Sequence, residues 1–165
     1  MITEESVEKA CSEVGEYTDD FMVREFDRFF QAQPAVCEFI VELTHESGHK
    51  IQELALFLSY MIFKATEVEQ AAAADSIRPE EIDAAYHQTE LWMTQFSEAE
   101  GEDLQTEIAA SLQRDAEPYL LQYVVSELNE PMEDGIQLDD EEKGEVFFVL
   151  KVVIAAVRQR DQNAG

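Results

Sequence analysis

An all-α fold, a compact bundle of six or seven helices, is what this sequence predicts, and three observations predict it. Apolar residues recur at three- and four-residue spacing along most of the chain. Pro34, Pro79 and Pro118 each stand at the head of an apolar run, where a missing N–H is harmless in the first helical turn. Apart from one β-branched run near the C-terminus, no stretch reads as a strand. A chain of 165 residues is expected to form a single domain with a sizeable core.

The elements follow in order. Val7, Ala10, Cys11 and Val14 form the stripe of an amphipathic helix over residues 4–14, with Thr3 as N-cap and Gly15 as its end. Thr18, Asp19 and Asp20 open a second helix. Its face of Phe21, Met22, Phe26, Phe29 and Phe30 predicts a core helix. Pro34 starts a third, carrying Val36, Cys37, Phe39, Ile40, Val41 and Leu43. After a break at Gly48, residues 51–66 are apolar nearly all round, which requires neighbours on every side. The Ala71–Ala74 run extends this helix until Asp75 and Ser76 turn the chain.

Pro79-Glu80-Glu81 begins a helix holding Ile82, Ala85, Tyr86, Trp92, Met93 and Phe96. Ser97 to Gly101 is read as a turn, and Leu104, Ile108 and Leu112 step along a more polar helix. Pro118 opens a helix with Tyr119, Leu120, Leu121, Val124, Val125 and Leu128, and residues 129–138 form a loop. The β-branched run, Val146 to Val157, is too long for an ordinary strand and is read as helix. Acids before it and Arg158 and Arg160 after it suit the helix dipole. Residues 51–66 and 143–158 are expected to be the buried pair.

The two halves of the chain look alike. Gln33-Pro34-Ala-Val-Cys-Glu-Phe39 aligns with Glu117-Pro118-Tyr-Leu-Leu-Gln-Tyr123 at a constant offset of 84. Each segment leads through a turn to a strongly apolar helix. Duplicated halves at about 17–70 and 101–160, framing a groove, are one reading. The other is that any two Pro-started amphipathic helices look alike.

Charge narrows the function. The chain carries 37 acids and 11 bases, a net charge of -26. Between Ala65 and Glu142 there are 22 acids and only two bases, Arg78 and Arg114. Such a surface repels phosphate backbones and anionic lipids, so direct nucleic-acid binding and membrane binding are both disfavoured. It favours cationic partners, bound cations or a salty cytoplasm. Cys11 and Cys37 match no metal or redox spacing and are expected to be reduced core residues. The first residues lack a basic, apolar leader pattern, and a cytoplasmic location is expected.

One chemical motif stands out. His45-Glu46-Ser47-Gly48-His49 has the H-E-x-x-H spacing and resembles the signature of the zincin metalloproteases, over these five residues alone. The resemblance implies His45 and His49 as zinc ligands and Glu46 as general base on a zinc-bound water. Glu67, Glu69 or His87 would complete the ligand set. Gly48 disfavours helix where the motif needs one, Lys50 places a charge beside the second histidine, and Asn129-Glu130-Pro131 occupies the equivalent turn of the other half. The motif is therefore read as a polar turn, with no metal or cofactor expected. Glu42 and His45 also give the E-x-x-H of di-iron bundles. The only other E-x-x-H, Glu46 to His49, falls in the same segment, so the paired site is not built. Walker-type, dinucleotide-type and EF-hand patterns are absent.

The expected function is that of a non-enzymatic acidic protein that binds a protein partner with a basic surface. The alternatives are a zinc-dependent hydrolase at residues 45–49 and an acidic inhibitor that mimics nucleic acid.

Overall fold

The structure, a computed structural model, describes residues 1–131, 135 and 137–164, and the side chains of all of these except 104, 105 and 161–164. The described residues form eight helices and no strand. They are α1 (Glu4–Gly15), α2 (Asp19–Ala32), α3 (Pro34–Leu43), α4 (His49–Gln70), α5 (Pro79–Thr94), α6 (Gly101–Gln113), α7 (Pro118–Asn129) and α8 (Asp140–Ala164). Eight exceeds the expected six or seven: each helical segment read along the sequence, the short one at Pro34 and the polar one at 101–113 included, is a separate helix.

Local chemistry explains the boundaries. The hydroxyls of Thr3 and Thr18 accept from the backbone N–H of Ser6 and Phe21, both at 3.2 Å. Pro34, Pro79 and Pro118 each sit in the first turn of their helix. Asp139 caps α8 reciprocally. Its carboxylate accepts from the Glu142 N–H at 2.8 Å, and Glu142 accepts from the Asp139 N–H at 3.0 Å. The β-branched run thus begins in a well-capped helix. Gly48 has φ +95°, a conformation that strains any side-chain-bearing residue, and it is what separates the turn from α4.

Two expectations are corrected. The alanine run does not extend α4, because Ala71 turns left-handed (φ 53°) and caps the helix at Gln70. The Phe stripe of α2 is only partly interior. Phe29 is buried, Phe26 is half-buried against Phe57 and Tyr60, and Phe21 and Phe30 remain 39% and 40% exposed. The side chain of Leu104, and residues 132–134 and 136 of the expected loop, lie outside what the structure describes.

The buried pair is α4 and α8, which pack on each other. α1 lies across α4 and α7, and α5 lies across α8 and α3, while α2 rests on α3 and α6 on α7. The pattern is regular in detail. Buried and half-buried positions of residues 55–68 fall in the same order as those of 146–159, without a mismatch. Val7 and Ala10 of α1 match Ile82 and Ala85 of α5, Tyr17 matches Trp92, and buried Ile2 matches buried Ile77. Val36, Cys37 and Ile40 of α3 match Leu120, Leu121 and Val124 of α7.

The residues before the two aligned prolines share a backbone conformation, φ -129°, ψ 58° at Gln33 and φ -128°, ψ 63° at Glu117. Both are buried polar side chains. Gln33 Oε1 accepts from the Ile77 N–H at 2.9 Å, and Glu117 Oε2 accepts from the Ile2 N–H at 2.8 Å. Each therefore holds the segment that leads into α5 or α1.

Candidate functional site

The histidine motif is not on one helix. His45 lies in the turn after α3, Gly48 follows, and His49 is the first residue of α4. His49 is 82% exposed, with Nε2 2.8 Å from Glu53, and His45 and Glu46 are also exposed. His87 is exposed on α5 beside Glu90, and Glu69 is bonded to Thr3 and Ser6 of α1. Glu67 faces Arg28. These candidates are thus spread over separate elements with separate partners. Among the described residues, no three His, Cys, Asp or Glu side chains are grouped closely enough to hold a metal ion. Cys37 is buried, which pushes its thiol up to about 12, and burial also raises the half-buried Cys11.

The distribution of bases shapes the surface. Among the described residues, Arg28, Lys64, Arg78, Lys151, Arg158 and Arg160 are drawn into ion pairs with carboxylates. Arg28 pairs with Glu25 at 2.8 Å, Lys64 with Glu13 at 3.1 Å and Arg78 with Glu81 at 3.0 Å. Along α8, Lys151 pairs with Asp115 and Arg158 with Glu117, both at 3.4 Å. Lys151 is buried and lies 4.5 Å from the centre of the Trp92 ring. Glu25 is held below the usual carboxylate range by its bond from Arg28, against the effect of burial and with a further bond from Tyr60.

Residues 79–113 contain no Lys or Arg. Here the end of α5, the turn and the outer face of α6 form an open cleft of about 730 Å³ that includes Glu98, Glu100, Asp103 and Glu107, all exposed. Leu91, 70% exposed, sits one turn before Gln95 on the same face of α5. The inner face of α6 contributes no buried residue among those described. Ile108 and Leu112 line a shallow apolar groove with Val125, Leu128 and Phe147, and Ser111 accepts from the Trp92 indole N–H at 2.7 Å.

A cleft of about 510 Å³ lies where the C-terminal ends of α4 and α8 meet. Its lining includes positions that correspond in the α1/α5 and α4/α8 matches: Ile2 with Ile77, Thr66 with Val157, and Glu69 with Arg160. Glu69 accepts from the Thr3 N–H at 3.1 Å, from the Thr3 hydroxyl at 2.8 Å and from the Ser6 hydroxyl. These bonds, Ser6 first, lower its pKa and keep it ionised. Among the described residues, Arg160 reaches Asp75 and Glu81 only at 3.9 Å, and its buried Nε has no acceptor.

The sequence reading offered a groove between halves without naming its residues. Arg160 is far in the chain from Glu69 and Asp75 and comes near them only through the packing of α4 on α8. No described helix is long and apolar enough to cross a membrane. Comparison with protein-family models, curated proteins and solved structures finds no match for this chain.

Proposed function

We propose that this is a non-enzymatic helical protein that binds a basic protein partner through the carboxylate face of residues 79–113. We further propose that its eight helices are a single domain of two duplicated four-helix halves, α1–α4 and α5–α8. The observation that carries the binding reading is the allocation of charge. Bases are used inside, in ion pairs that join helices, so the outward face of α5 and α6 is left as carboxylates with no counter-charge of its own. A basic surface would be steered to it over roughly a Debye length, about 8 Å at physiological salt. Exposed Leu91 beside the acids supplies an apolar contact for a partner otherwise held by charge.

The duplication reading rests on the matched burial order of 55–68 and 146–159 and on the equivalent roles of Gln33 and Glu117. It extends the halves beyond the 17–70 and 101–160 expected from sequence to include α1 and α5.

The binding reading is tested with a fluorescent arginine-rich peptide as probe. Binding at 50 mM salt is expected to weaken more than tenfold at 500 mM. It is also expected to be lost in Glu98→Gln/Glu100→Gln/Asp103→Asn/Glu107→Gln but retained in Glu4→Gln/Glu5→Gln/Asp19→Asn/Asp20→Asn. Equal weakening by the two sets would mean that only net charge is sensed and would refute a dedicated face.

A further inference from the structure

We propose that the cleft between the ends of α4 and α8 binds a small zwitterion with an apolar side chain, of the α-amino-acid class. Its volume of about 510 Å³ is within the roughly 300–1,000 Å³ range of small-molecule sites, and its place between the two halves is where such sites concentrate.

The walls specify the ligand. Phe63, Ile77 and Val157, each at most 5% exposed, give the cleft an apolar floor. Thr66 lies beside them, its hydroxyl donating to the Ile62 carbonyl at 2.8 Å and keeping lone pairs to accept with. Charge is divided across the mouth, with Arg160 on α8 and Glu69 and Asp75 at the end of α4 and just beyond. The Arg160 guanidinium has a fork of donors but meets its carboxylates at 3.9 Å, well beyond the roughly 2.7–2.9 Å of a charge-assisted hydrogen bond. Asp75 is 67% exposed, and at 3.9 Å from Arg160 it lies outside hydrogen-bond distance of it.

An α-amino acid hangs its ammonium and carboxylate from one carbon. It can therefore lie alongside the loose Asp75–Arg160 pair, ammonium on Asp75 and carboxylate on Arg160, with the side chain on the floor. Magnitudes decide against simpler ligands. A net charge of -26 opposes the approach of an anion, and a bare cation would meet Arg160. A zwitterion is neutral at long range and complementary at short range.

The test is calorimetric titration of the full chain at 0.15 M salt with three probes sharing one apolar body: L-leucine, 4-methylpentanoate and 3-methylbutylamine. Leucine is expected to bind saturably and about tenfold or more tighter than either single-charge analogue, since each loses one charged hydrogen-bonding group. Arg160→Gln is expected to abolish leucine binding. Ala74→Phe, on the half-buried rim, is expected to do the same by filling the cleft, with thermal unfolding confirming that both variants are folded. Asp75→Asn is expected to weaken binding severalfold. Absence of saturable leucine binding up to about 20 mM would overturn the proposal. So would equal binding of either single-charge probe, or leucine binding unchanged in Arg160→Gln. Because none of these residues lies in 79–113, failure here leaves the peptide experiment standing, and the reverse holds.

Discussion

Gln33→Leu tests whether a buried amide fastens the start of α5 to the rest of the protein. Gln33 is 2% exposed. Its Nε2 donates to the Asp75 carbonyl at 2.8 Å and its Oε1 accepts from the Ile77 N–H at 2.9 Å. Leucine fills nearly the same space, so the perturbation is the loss of the polar pairing and not of volume. It leaves two backbone groups without partners. Each such group costs about 1–3 kcal/mol where water cannot reach it, so the expected loss is about 2–6 kcal/mol. That is a large share of the roughly 5–15 kcal/mol that holds a typical domain. At about 2–4 °C per kcal/mol for a chain of this size, the midpoint should fall by about 4–24 °C. Differential scanning calorimetry at pH 7 reads it directly. A midpoint within about 2 °C of the parent would refute the reasoning, because it would mean that water or a shifted backbone satisfies both groups.

Three further outcomes are expected. Raising potassium chloride from 50 mM to 1 M should raise the unfolding midpoint, because it screens the self-repulsion of 37 acids against 11 bases; an unchanged or lower midpoint would contradict that. Glu127 has its pKa raised by burial and then by Glu130, so its folded value lies above its unfolded one and the ionised form is the disfavoured one in the fold. Its penalty is absent below the unfolded pKa and grows as pH rises through the folded pKa. Glu127→Gln should therefore stabilise the protein at pH 7 but not near pH 3, as thermal melts at the two values would show. In hydrogen exchange, amides of α6, which has no buried residue among those described, should exchange well before those of α4 and α8. Equal protection would show that α6 opens only with the whole fold.

Much of the fold was legible in the residues that begin helices. Thr3, Thr18, Pro34, Pro79 and Pro118 all act where the sequence places them, because capping is a local matter of one side chain and a few N–H groups. The apolar runs of α4 and α8 likewise announced the buried pair. The Phe stripe of α2 misled, since hydrophobic spacing tells which residues share a face and not how much of that face is covered. Gln33 and Glu117 were legible only as the residues before proline. Their partners, Ile77 and Ile2, are far away in the chain, and a buried amide or carboxylate looks like a surface one until its partner is known. The match in burial between α1 and α5 was hidden for a related reason. Tyr17 and Trp92, or Cys11 and Tyr86, agree in depth and not in identity.

Glu69 and Arg160 occupy matching places on α4 and α8, and both open on the same cleft. An assembly of two identical chains would have to repeat one residue there, presenting two acids or two guanidiniums to whatever lay on its axis. In the duplication proposed above, both halves lie on a single chain and that constraint disappears. One wall can become an anion and the other a cation while the core positions beneath stay interchangeable, and the axis acquires a direction. A molecule entering the cleft can then tell its left from its right.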